Sequence, residues 1–225
     1  MIHISSYCRI IHGQVIINGK TYFEAENKTA HEFLSELYTF SKIDYRKFYK
    51  MDLLSKLGFL ASEILLDNSI LPEYEYFDKK QAKENFGIAL FNANASLEAD
   101  CKFQNTINFF PSPSDFVYTL PNIVIGEIAI RNKILGETAF YVTKGFQADK
   151  ICEIVNNMNN FAGMREVLTG WCDVNPFAET LDCLMIYCKY VKSIDDPVMI
   201  KMLQDIHGKE LNINNLNELF TNFKI

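Results

Sequence analysis

One stretch constrains the fold of this chain more than any other: residues 111–143, PSPSDFVYTLPNIVIGEIAIRNKILGETAFYVT. A Ser-Pro-containing loop gives way to Pro121-Asn122, then an unbroken apolar run, a Gly136-led turn and the strand-forming TAFYV, Thr138 to Val142. Residues 122–130 carry two opposed signals. Their β-branched side chains, taken alone, favour a strand. Asn122 is a good N-cap, Pro121 suits the start of a helix, and apolar residues without alternation fit a buried helix. The residues alone leave both readings open.

The flanking sequence alternates strand and helix signals. Residues 1–10 alternate enough for a strand, and Asn18-Gly19 between two β-rich runs is a hairpin signal. That hairpin mimics a phosphate-binding loop, since Gly13 to Thr21 ends in Gly-Lys-Thr. Five residues separate Gly13 and Gly19 where such a loop has four, and they are strand formers. Residues 29–40 place Phe33, Leu34, Leu37 and Tyr38 on a helical face. Residues 45–68 read as one long helix through Leu53, Leu57, Leu60 and Ile64. Residues 72–83 read as a surface connection and 87–92 as a buried strand, followed by a polar helix to Ile107. Residues 146–160 form an amphipathic helix with Ile151, Ile154, Val155 and Met158 on one side. Residues 167–174 read as a strand, 182–191 are ambiguous, and short helices are expected over 197–206 and 215–223.

Composition removes several classes. A hydrophobic content of 48% argues against disorder, and a net charge of −6 gives no general reason to bind nucleic acid. An acidic partner would need a local basic patch. No signal peptide or membrane-length apolar run stands out, so a cytoplasmic location without membrane contact is the expectation. Six scattered cysteines without a CxxC pair, beside four histidines, suggest buried small hydrophobes before metal ligands or disulfides. No metal and no cofactor are called for. His3, His12, His31 and His207 show no ligand spacing. Asp173 reads as a functional carboxylate or a strand-end cap, and Glu98 with Asp100 as a solvated helix start.

Residues 45–174 resemble β-ketoacyl synthases, the condensing enzymes of fatty-acid and polyketide synthesis. The resemblance rests on the helix YRKFYKMDLLSKLGFLASEILL, on Pro121-Asn122, on Ile130-Arg131, and on Gly136 before TAFYV. It implies an α/β fold, the N-terminal half of a thiolase-like unit, with a mixed sheet of about five strands and helices on both faces. Residues 122–130 then become a helix, and the chain a single domain over 1–225, with 176–225 as an extra C-terminal segment.

In that family a cysteine follows the strand at the tip of the next helix, where backbone amides and the helix dipole activate it. Here Thr143, Lys144 and Gly145 follow, and Gly145 takes the nucleophile's position. The other catalytic groups belong to a second half that residues 175–225 do not resemble. The resemblance therefore implies a non-catalytic ketosynthase-like subunit of fatty-acid, aryl-polyene or polyketide-type biosynthesis. Thr138, Ala139, Phe140, Tyr141 and Val142 would form its dimer edge, to a second copy or a full-length ketosynthase. Lys144, beside a helix N-terminus, either faces solvent or meets an anion such as the phosphate of an acyl carrier protein's prosthetic arm. Phe116, Tyr118 and Phe146 would mark a remnant acyl pocket, for an alternative role in binding an acyl group or small ligand. A residual carrier-linked decarboxylase is the remaining alternative.

Overall fold

The computed structural model describes residues 2–11, 13–67, 78–190 and 211–221. Strands β1 (Ile2–Ile11), β2 (Gln14–Ile17) and β3 (Lys20–Glu24) form an antiparallel meander. Its second turn carries Asn18 and Gly19 at φ 50° and 81°, the left-handed pair that a two-residue hairpin demands. Tyr7 N donates to Asn18 Oδ1 at 2.9 Å, fastening the turn to β1. The Gly-Lys-Thr decoy is thus a hairpin tip.

Four more strands complete the sheet: β4 (Phe86–Asn92), β5 (Thr138–Val142), β6 (Glu166–Asn175) and β7 (Thr180–Tyr190). The order is β3-β2-β1-β7-β6-β4-β5, with β4 parallel to both β5 and β6 and every other pairing antiparallel. The expected mixed sheet is present, but with seven strands where about five were expected. The hairpin strands join through β1, and the ambiguous residues 182–191 resolve as β7. Burial on both faces hides β7's alternation, because TLDCLMIYCKY is apolar on either side.

Helices cover both faces. On one lie α1 (Ala30–Phe40), α2 (Leu53–Leu65) and α5 (Ile123–Asn132), packed over Ile10, Ile88, Leu90, Leu168 and Met185. Helix α1 starts in a capping box in which Thr29 and Glu32 exchange hydrogen bonds. The long helix expected over 45–68 is broken. Residues Arg46–Lys50 form a 3-10 turn, and α2 begins after Asp52, whose Oδ1 accepts from Ser55 N at 3.1 Å. Apolar spacing runs unbroken through this point, but the cap stops the helix extending backwards. Residues 122–130 are helical, with Val124, Ile125 and Ile128 buried and Ile130 exposed, a helical period. Two shorter helices, α3 (Leu97–Thr106) and α4 (Pro113–Val117), follow β4.

The opposite face carries α6 (Ala148–Ala162) and α7 (Ile213–Thr221). Ile151, Val155 and Met158 of α6 share a core with Leu216, Leu219 and Phe220 of α7 and with Phe91, Trp171 and Leu184 of the sheet. The polar side of α6, Asp149, Lys150, Glu153, Asn156 and Asn157, faces solvent. Helix α7 lies two residues from the 215–223 expected. The expected helix over 197–206 falls outside the described residues, as does the first half of the connection at 72–83.

Candidate functional site

The parallel strands β4, β5 and β6 all end beside the start of α6, and the loop from Thr143 to Gln147 occupies this end of the sheet. Thr143 N donates to Asn92 O at 2.8 Å, and Thr143 Oγ1 to Gly145 O at 2.9 Å. Lys144 is exposed, and the space around Gly145's α-carbon is open. Helix α6 starts only at Ala148, with Gln147 as its N-cap, so Gly145 precedes its first turn. The loop holds no thiol. The next cysteine along the chain, Cys152, is half-buried within α6, and burial, reinforced by Asp149, pushes its thiol up to about 11. Little thiolate forms there at neutral pH.

Asp173, at the end of β6, is engaged. Its Oδ1 accepts from Ala93 N at 3.1 Å and Asn94 N at 3.0 Å, and its Oδ2 from Asn94 Nδ2 at 2.8 Å. The carboxylate ties the loop after β4 to β6, the capping role.

Strand β5 is the edge of the sheet. Ile88 N donates to Glu137 O at 2.9 Å, so the backbone groups of odd-numbered residues from 137 to 143 face β4. Those of Thr138, Phe140 and Val142 turn outward, where none of the described strands pairs with them. Val142 is 54% exposed, and Phe140 and Tyr141 are half-buried. A second apolar surface lies on the segment between α3 and α5, where Phe109 and Phe110 are 89% and 85% exposed and Phe116 is also exposed.

The structure does not bring Phe116, Tyr118 and Phe146 together. Phe116 packs against Phe103 of α3, and Tyr118 borders the α2–α5 core. Phe146 lies on the other face of the sheet, stacked on Phe220 with ring centres 3.9 Å apart. Tyr118 does line a cavity of about 670 Å³, whose walls include His31, Lys47, Asp52, Lys56, Lys102 and Glu127. Glu127 is buried within α5. Its Oε1 is ion-paired with Lys47 Nζ at 2.7 Å and accepts from Tyr118 OH at 3.4 Å. Burial and the Glu127 charge push the Tyr118 hydroxyl well up, so it stays a donor. Burial lowers Lys56, and it raises Asp52 to about 6.

Sequence reasoning missed this polar cavity. Its one local signal is Glu127, the sole acid in the apolar run of α5. Because Glu127 Oε2 has no donor of its own, removing Lys47 leaves a buried carboxylate held by one phenol. Lys47→Met is expected to destabilise the fold by about 1 kcal/mol, read from the urea midpoint. An unchanged midpoint would show that the pair contributes nothing.

No protein-family model and no curated protein matches the chain. Solved structures do. It is similar to "The ishigamide ketosynthase/chain length factor", with TM-score 0.57 and 16% identity over 87% of this chain and 64% of that one. It is similar to a chain of "Ketosynthase (ApeO) in Complex with its Chain Length Factor (ApeC) from Xenorhabdus doucetiae", with TM-score 0.52 and 12% identity over 92% of each. A third, "AntDE:AntF (apo): type II PKS acyl-carrier protein in complex with its ketosynthase bound to the hexaketide", gives TM-score 0.54 and 12% identity over 84% of this chain and 62% of that one. The chain thus spans less than two thirds of two of these neighbours and nearly all of the other. Its fold is the thiolase-like fold of ketosynthases and chain length factors.

Proposed function

We propose that this chain is a non-catalytic ketosynthase-like subunit of fatty-acid, aryl-polyene or polyketide-type biosynthesis, pairing through β5 with a full-length ketosynthase. The observation that carries this reading is the unpaired outer edge of β5. A strand with free backbone groups and half-buried apolar side chains invites a further strand, and continuing the sheet across two subunits supplies it. Two neighbours of the same fold are chains of complexes, one of a ketosynthase with its chain length factor and one of an acyl-carrier protein with its ketosynthase. The absence of a thiol in residues 143–147 supports a role that does not depend on acyl transfer by this chain.

Val142→Pro tests the reading, because Val142 is exposed and its N–H points away from β4. Proline removes that donor without touching the inner ladder. Co-expressed with a full-length ketosynthase of the same organism, the wild-type chain is expected to co-elute in light scattering. Val142→Pro is expected to weaken association at least about tenfold with unchanged circular dichroism. A wild-type chain that stays monomeric alone and with the ketosynthase would sink the proposal.

The cavity favours a second reading, a site for a small ligand or the arm of a carrier protein. Lys47, Lys50, Lys56 and Lys102 line it beside Asp52, Glu98, Asp115 and Glu127, and Lys50 and Lys56 are the cations there that could meet a phosphate or carboxylate.

A further inference from the structure

On the α6–α7 face, Arg9, Leu184 and Trp171 stand in one row across β1, β7 and β6, because Leu184 is the direct cross-strand partner of both others. Directly paired residues point to the same face. Asp182, two residues before Leu184 on β7, shares that face, and Asp173 lies opposite it on β6.

Arg9 is fully buried. Its Nη1 lies 2.5 Å from Asp182 Oδ1, a charge contact outside hydrogen-bond geometry, and its guanidinium sits 4.8 Å over the ring of Phe220. Phe220 also meets Trp171 edge-on, with ring centres 6.5 Å apart. Arg9 Nε and Nη2 and Trp171 Nε1 are buried and have no hydrogen-bond partner. All three atoms only donate, so what the site lacks is an acceptor. Nε and Nη2 form one edge of the guanidinium, the fork that matches both oxygens of a carboxylate. The rings of Phe146 and Trp171 supply an apolar wall beside that fork, and the Phe220 ring, stacked on Phe146 and set over Arg9, closes it. Asp182 and Asp173 disfavour a second negative charge.

We propose that Arg9 anchors a binding site for a monocarboxylate on an apolar body, gated by Phe220 of α7. The site stands apart from the β5 edge and does not depend on the chain's pairing with a ketosynthase. Nη1 stays with Asp182, the Nε–Nη2 edge takes the carboxylate, and outward movement of the Phe220 ring admits the body.

Trp171 is the chain's only tryptophan, so its emission reads the site directly. The full chain is titrated with hexanoate, and with hexanol and chloride as controls. A saturable change with hexanoate alone is expected. Phe220→Ala should tighten it several-fold, and Arg9→Lys, which keeps the charge but loses the fork, should weaken it at least about tenfold. Equal response to hexanol, Arg9→Lys binding like wild type, or no saturable change in a folded Phe220→Ala would each overturn the proposal. Should Arg9→Lys not fold, Asp182→Asn decides. Removing the carboxylate that competes for the guanidinium should strengthen hexanoate binding, and unchanged or weaker binding rejects the site.

Discussion

Gly170→Ala is expected to cost at least about 3 kcal/mol, and the chain should lose its cooperative urea transition or shift it far towards zero denaturant. Gly170 sits in the middle of β6 at φ 138°, a conformation open essentially to glycine alone. A methyl group there would stand 1.9 Å from Leu184 O, a backbone atom of the neighbouring strand. No side-chain rotation relieves a clash with backbone, so β6 and β7 must separate at this pair. That pairing is the centre of the sheet, and Trp171 and Cys172 next to Gly170 are buried in opposite cores. The strain and the lost packing therefore add. A variant with a wild-type midpoint would show that the sheet can open here cheaply.

Asp52 should give the protein a pH dependence of the opposite sense to most carboxylates. Burial raises its folded value from 3.8 to about 6, the Ser55 hydrogen bonds counter part of that rise, and the charge of Glu98 adds to it. The native state therefore binds the Asp52 proton more tightly than the unfolded chain does. The stability this contributes is complete below about 3.8 and is lost as pH rises through about 6. Asp52→Asn keeps an oxygen to accept from Ser55 N and removes the buried charge. At pH 7 it should be more stable than wild type by about 2 kcal/mol. The two proteins should converge below pH 4. Denaturant melts of both from pH 4 to 7.5 check this, and parallel curves would show that Asp52 titrates normally.

Legibility in the sequence followed the range of the interactions. The Asn18-Gly19 hairpin and the α1 helix are written within a few residues of themselves, as are β4 and β5. Residues 122–130 were not decided by their own side chains. Their β-branched content points to a strand, and only burial against α2 makes the helical arrangement win. The break at Met51-Asp52 was hidden because apolar spacing continues through it, and β7 because both of its faces are covered. The cavity was the least legible feature. Its walls come from α1, the 3-10 turn, α2, α3, α4 and α5, and no local pattern says that Lys47 and Glu127 will meet. Arg9 gave no warning either, since a charged residue in an edge-like N-terminal run ordinarily faces water.

The place of β1 in the sheet has a consequence for how the chain is made. This first strand lies between β2 and β7, and its partner β7 begins at Thr180. During synthesis, at about 5–20 residues per second, β1 and its hairpin wait many seconds before that partner leaves the ribosome. Such distant pairing slows folding, and it leaves Ile2, Ile4, Ile10 and Ile11 uncovered meanwhile. A nascent chain halted before Thr180 should be a client of hydrophobic-binding chaperones, and release should follow the exit of Tyr190 from the ribosome.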